Sequence, residues 1–196
     1  GKVVNGDELL YVVARARQED GLLHGGVVGT VMSNLGMELA LKERGIPFER
    51  APVGDRYVHK ALVDKGWTIG GEASGHLLFL DRASTGDGIV SALLILEVMV
   101  RSGRSLHELR QGMRKYPQTM INVPVSDGAR QRLANSVRIT EAVRRAEVEL
   151  NGRGRVILRP SGTEPLVRVT LEGADSSQVE ELARQLADTV REELGA

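Results

Sequence analysis

The chain has 196 residues, 41 % hydrophobic and 27 % charged, with 26 Lys and Arg balancing 26 Asp and Glu; this composition fits a soluble globular protein of one large domain or two small ones and excludes a disordered one. Basic and acidic residues number 15 and 14 up to position 117 and 11 and 12 beyond it, and aromatics are 3 %, which argues against a nucleic-acid partner or a base-stacking platform. The absence of cysteine excludes disulfides, cysteine nucleophiles and iron–sulfur clusters, and fits a reducing compartment.

Asn5-Gly6 signals a turn, Asp7 is placed to cap a helix, and Leu9, Leu10, Val12, Val13 and Ala16 supply its apolar stripe. A glycine-bearing strand and loop follow over 22–31, then a helix over 35–44 capped by Ser33 or Asn34 and stopped by Gly45. A strand over 46–53 leads to Gly54-Asp55-Arg56 and a helix over 57–65 ended by Gly66, with Asp55 in the capping position. Short strands at 67–70 and 77–80 flank the loop 71–76, and 81–87 is polar loop. The segment 88–101 is the most apolar helix, and its composition implies burial on most sides. The longest apolar run, 89–100, holds 12 residues including Glu97, short of the roughly 20 that span a bilayer. With no signal peptide, a cytoplasmic protein without membrane contact is expected. Gly1 in place of Met implies an N-terminus that was processed or cut from something longer. A last helix is expected over 105–115, from Leu106, Leu109 and Met113.

The rhythm changes near Tyr116-Pro117. A strand over 119–125, helix within 127–141, helix or strand over 142–150, strands at 155–159 and 166–172, and an amphipathic helix over 176–193 follow. The expected fold is therefore α/β: a mostly parallel α/β/α domain over 1–116, then a smaller α+β domain over 117–196 with a mainly antiparallel sheet. In sheets of the first kind, active groups sit in loops beyond the carboxyl ends of strands, where 54–56 and 71–76 fall.

Arg159-Pro160-Ser161-Gly162-Thr163-Glu164-Pro165, with Arg168 just beyond, is composed as an anion cradle. Ser161 and Thr163 offer hydroxyl donors, Gly162 admits close backbone approach, and the arginines offer planar donor forks suited to phosphate; an ordinary Ser/Gly/Pro turn has the same composition. Gly71-Glu72-Ala73-Ser74-Gly75-His76 offers a donor and acceptor set of the kind that reads polyols, though a polar surface turn reads the same way. Asp55 and Arg56 read as a cap and a cation within reach of a phosphate. Thr30–Asn34 reads as a helix start, and 81–88 as a loop and cap whose two aspartates lack calcium-loop spacing. No dinucleotide fingerprint, Walker loop, zinc motif or nucleophile elbow is present, and the four histidines lie far apart.

Taken together, 71–76 and 159–165 resemble the α-D-phosphohexomutase superfamily, and GDRYV at 54–58 with GEASGH at 71–76 resembles its glucosamine-phosphate branch. Segments 6–14, 25–36, 45–58, 70–88 and 116–123 extend the resemblance over essentially the whole chain. It implies the third and fourth domains of a four-domain mutase that interconverts glucosamine 6-phosphate and glucosamine 1-phosphate. The phosphoserine carrier and the Asp-rich Mg2+ loop would lie in domains 1 and 2, outside this chain, so the chain alone is expected to be inactive. Glucosamine 1,6-bisphosphate or glucose 1,6-bisphosphate would be the intermediate or activator. Glu72 and Ser74 would bond the sugar hydroxyls, with His76 steadying their loop and Asp55 and Arg56 beside the sugar; Arg159, Ser161, Gly162, Thr163 and Arg168 would grip the phosphate remote from the chemistry. A phosphoglucomutase/phosphomannomutase, or a non-catalytic phosphosugar-binding module, is the alternative.

Overall fold

The structure is a computed structural model that describes residues 3–126, 129–162 and 164–195. It divides into two compact units, residues 1–115 and 116–196.

In the first unit the elements run α1 (Gly6–Glu19), β1 (Val27–Thr30), α2 (Leu35–Glu43), β2 (Phe48–Ala51), α3 (Asp55–Lys65), β3 (Ile69–Gly71), β4 (Leu77–Phe79), α4 (Gly88–Ser102) and α5 (Leu106–Leu109). The sheet order is β2-β1-β3-β4; β1 runs parallel to β2 and β3, and β4 turns back antiparallel to β3. This is the expected mixed, mostly parallel α/β/α layer. Two apolar clusters hold the layers together. One joins α1 and α4 to the sheet through Leu10, Val13, Val27, Ile69, Phe79 and Leu94; the other packs Val58 and Leu62 of α3 beneath Val28, Ala51 and Leu78. Fully burying each such side chain contributes roughly 1.5–3 kcal/mol.

Local details depart from the sequence expectations. Asn5, not Asp7, caps α1: its side chain accepts from the Glu8 N–H while Glu8 accepts from the Asn5 N–H, a reciprocal capping box. Asp7 lies two residues past the cap position, and it is 1 % exposed. Gly54, in the left-handed half of backbone space at φ 125°, occupies the cap position of α3, and Asp55 is its first helical residue. Asn34 rather than Ser33 caps α2 by accepting from the Gly36 N–H, while the Ser33 hydroxyl accepts from the Thr30 N–H. Asp87 caps α4, accepting from the N–H groups of Ile89 and Val90. The expected burial of α4 on most sides is wrong: Leu94 and Ile95 are buried, but Ile89, Leu93, Leu96 and Val100 are 76, 60, 51 and 80 % exposed. Its buried stripe packs on the sheet and α1 through Leu94 and Ile95. The expected helix over 105–115 is a single turn, because Gly112 takes φ 105° where the chain passes against Tyr11.

In the second unit β5 (Gln118–Pro124), α6 (Ala129–Asn135), α7 (Val137–Leu150), β6 (Gly154–Pro160), β7 (Leu166–Gly173) and α8 (Ser176–Leu194) follow. The sheet order is β5-β7-β6 and every pairing is antiparallel, the α+β arrangement expected. Residues 142–150 belong to a helix, not a strand, so the 151–154 turn joins helix to strand; Asn151 ends α7 in the left-handed conformation at φ 47°. The stripe of α8 read from the sequence (Val179, Leu182, Leu186, Val190) is buried against the sheet with Val167, Val169 and Leu171 of the central strand. β6 is an edge strand, which is where Pro160 can sit without removing a ladder hydrogen bond.

Candidate functional site

In the first unit the sheet places three loops at the carboxyl ends of the parallel strands β1, β2 and β3, and side chains tie them together. The Glu72 carboxylate, just past β3, accepts from the Gly54 N–H at 3.0 Å and so fixes the loop that follows β2. The 72–76 loop is itself a tight turn: the Gly75 N–H donates to Glu72 O and the Glu72 N–H to His76 O, both at 3.0 Å. Gly75 takes φ 100°, which a side chain would resist. Ser74 stands exposed at its tip. His76 Nε2 lies 4.0 Å from Asp55 Oδ2, so the loop after β2 and the loop after β3 meet again there. Arg56 is folded back: Nη2 donates to Tyr57 Oη at 2.7 Å and the guanidinium lies 4.6 Å from the ring centroid.

Two supports of this loop escape the sequence reading. Gly6, the first residue of α1, donates its N–H to Ala73 O at 3.0 Å. A Cβ at position 6 would lie 2.0 Å from Glu72 O, so only glycine lets the helix start approach the loop this closely. Gly86 lies against the His76 ring, with a Cβ there 2.1 Å from Nε2. Neither contact has a signal in a single sequence: the first joins backbones more than sixty residues apart, and the second rests a glycine on a side chain ten residues away.

The next residue of α1, Asp7, reaches the loop after β1: Oδ2 accepts from the Asn34 N–H at 2.8 Å. Burial pushes its carboxyl above the usual carboxylate range, against the lowering effect of hydrogen bonds from the Asn34 N–H and Ser33 and of the Arg50 and Lys115 charges. Arg50 braces the same loop, donating to Thr30 O and Ser33 O and pairing with Glu38. The start of α1 therefore holds one loop through the Gly6 backbone and another through the Asp7 side chain.

In the second unit, β6 and β7 close over 161–165, and their register sets Arg159 directly opposite Arg168. Like charges so placed are unfavourable. The Nε atoms of both are buried and lack a hydrogen-bond partner among the described residues. Ser161 is 9 % exposed, with its N–H donating to Leu166 O at 2.8 Å and its hydroxyl accepting from the Glu164 N–H at 3.3 Å. Arg168 Nη2 donates to Glu164 Oε2 at 3.3 Å. Gly162 is exposed with open space where a Cβ would stand, and Thr163 lies outside the described residues. The groove between α7 and α8, lined by Ala142, Ala146, Leu182 and Leu186, includes none of these residues. Two arginines thus stand at opposed strand positions, each with a buried Nε that has no partner among the described residues.

Comparison with known proteins agrees with both halves. The family model described as phosphoglucomutase/phosphomannomutase, alpha/beta/alpha domain III, matches residues 5–116, and the model of the C-terminal domain of the same family matches 120–189. The chain belongs to the phosphoglucomutase/phosphomannomutase family. It is 59 % identical over 192 residues to the phosphoglucosamine mutase of Thioalkalivibrio sulfidiphilus and 55 % over 190 residues to that of Methylococcus capsulatus. These alignments take in 97 % of this chain but 43 and 42 % of the relatives, so the chain spans less than half their length. Among solved structures, the Aspergillus fumigatus N-acetylphosphoglucosamine mutase in complex with GlcNAc-6P and magnesium shares the fold, with a TM-score of 0.82 at 21 % identity over 98 % of this chain and 44 % of that one. A phosphoglucomutase/phosphomannomutase family protein of Burkholderia thailandensis does so at 0.73 and 17 %, over 98 and 43 %. No helix among the described residues is long and apolar enough to cross a membrane.

Proposed function

We propose that this chain positions the substrate in a phosphoglucosamine mutase, the enzyme that interconverts glucosamine 6-phosphate and glucosamine 1-phosphate. The observation that carries the reading is the facing Arg159–Arg168 pair with both Nε–H groups unsatisfied, an arrangement that costs stability and suits a phosphate dianion. In this reading the guanidiniums, the Ser161 hydroxyl, the Gly162 backbone and Thr163 hold the phosphate that is not reacting. Glu72, Ser74 and His76 bond the sugar hydroxyls and the ammonium group, with Asp55 and Arg56 beside them. The amino sugar rests on the curated relatives, which carry the name phosphoglucosamine mutase, and on the GDR and GEASGH loops.

In the reaction, a phosphoserine of another domain gives its phosphoryl group to the free hydroxyl of the sugar phosphate; the serine O–P bond breaks as the sugar O–P bond forms. The 1,6-bisphosphate turns end over end and returns its other phosphoryl group to the serine. A phosphate grip that reads charge and a loop that reads hydroxyls through exposed donors and acceptors can serve both orientations, because neither needs to know which carbon carries the phosphate. Magnesium offsets phosphoryl charge in chemistry of this class, but the described residues do not fit it. They contain no cluster of three or more possible ligands, Asp81 is paired with Arg17, and Asp87 is spent on capping α4.

Calorimetric titration of the chain with glucosamine 6-phosphate, glucose 6-phosphate and mannose 6-phosphate tests the reading. The expected result is tightest binding of the glucosamine ester, with Glu72→Ala removing that preference while phosphate affinity stays. A preference for glucose or mannose phosphate would move the protein to the hexose branch of the family.

A further inference from the structure

Glu164 already contacts two of the groups that would grip phosphate and takes up a donor of one of them, Arg168. The Glu164 carboxylate accepts from Arg168 Nη2 at 3.3 Å, and the Glu164 N–H donates to the Ser161 hydroxyl at 3.3 Å. The Glu164 carbonyl accepts from the Leu166 N–H at 2.8 Å, which anchors the residue at the base of the turn. Its carboxylate is an anion beside one of two like charges placed opposite each other. Its side chain is 55 % exposed, so it can swing into water at little cost, and that of Arg168 is 31 % exposed.

We propose that Glu164 is an internal stand-in for the substrate phosphate, filling the Arg168 end of the grip between turnovers and competing with the ligand for release. The proposal rests on the reading of 159–168 as the phosphate grip. A mutase of this kind gains from it. The intermediate must leave the grip and return reversed, so the grip must let go within one catalytic cycle. A tethered carboxylate recaptures the guanidinium as phosphate departs, which shortens the residence time without weakening the donors themselves. It also balances the Arg159–Arg168 repulsion while the site is empty.

The test compares wild type, Glu164→Gln and a control, Glu149→Gln, for binding of inorganic phosphate and glucosamine 6-phosphate. Glu149 is an exposed carboxylate near the end of α7, beside the start of β6 and away from Pro160. Glu164→Gln is expected to bind both ligands about two- to fivefold tighter, the range of an exposed ion pair, with slower dissociation in NMR line shapes, while Glu149→Gln matches wild type. Equal tightening in both variants would show a net-charge effect and overturn the proposal, as would a Glu164→Gln that binds no tighter than a wild type that does bind. If neither wild type nor Glu164→Gln binds either ligand, the phosphate-grip reading itself fails and takes the proposal with it.

Discussion

Replacing Gly6 with alanine adds one methyl group where α1 begins, and the structure puts that methyl 2.0 Å from Glu72 O and 2.8 Å from the Gly75 N. Both atoms are backbone, so no side chain can swing aside. Either α1 retreats or the 72–76 turn moves, and the Gly6 N–H to Ala73 O bond is lost. Overpacking of this kind costs about 1–3 kcal/mol and the hydrogen bond about 0.5–1.5 kcal/mol. The smaller entropy of the unfolded alanine chain returns about 0.4–1 kcal/mol. A net loss of about 1–3 kcal/mol should lower the urea midpoint with the slope unchanged. Gly88→Ala is the control: it starts α4, has open space around its Cβ and needs no unusual backbone. It should leave the midpoint within about 0.5 kcal/mol. Amide signals of 72–76 should shift in Gly6→Ala and not in Gly88→Ala, and the affinity for glucosamine 6-phosphate should fall with them. A Gly6→Ala protein as stable as wild type, with those signals unmoved, would refute the claim that α1 holds the sugar-reading loop.

Three further outcomes are expected. Arg159→Ala should weaken binding of glucosamine 6-phosphate by about 1.5–3 kcal/mol, the worth of a lost charged hydrogen bond. Its urea midpoint should hold or rise, because a facing like charge and an orphaned Nε go with it. Leu94→Ala should cost about 2–5 kcal/mol, whereas Leu93→Glu, one position along α4 but 60 % exposed, should stay within about 0.5 kcal/mol by the same denaturation assay. Asp7 has a folded-state pKa above its unfolded one, so it favours folding while protonated and that contribution is lost as pH rises from about 4 through the raised value. Urea titrations from pH 4 to 7 should show wild type losing stability relative to Asp7→Asn as pH rises; identical slopes would mean that Asp7 does not contribute in this way.

Much of this was legible in the residues, and what was not has physical reasons. Alternating strands and helices, and the stripe of α8, are local patterns, so the two fold types could be read directly. Helix caps were half legible. Asn5, Asp7 and Glu8 all suit a helix start, and only the register of the first turn decides that Asn5 caps while Asp7 is buried under Asn34. For α4, composition misled because hydrophobicity reports what a helix prefers to bury, not how many faces its own unit covers. The loops 71–76 and 159–165 stood out by residue type. The opposition of Arg159 and Arg168 was not legible: the expected strand ends would set 159 against 166, and only the observed closure of 161 on 166 shifts the register to 159 against 168. The support at Gly6 had no signal, because it is a long-range backbone approach, and the one at Gly86 had none, because nothing in the sequence says where the His76 ring lies.

The most direct test is an NMR titration of the labelled chain with glucosamine 6-phosphate, against glucose 6-phosphate and inorganic phosphate. Shifts are expected at Arg159, Ser161, Gly162 and Arg168 with all three ligands, and at Glu72, Ser74 and His76 most strongly with the glucosamine ester. Signals at 159–168 that stay fixed at saturating phosphate, while the rest of the spectrum shows a folded chain, would contradict the phosphate grip.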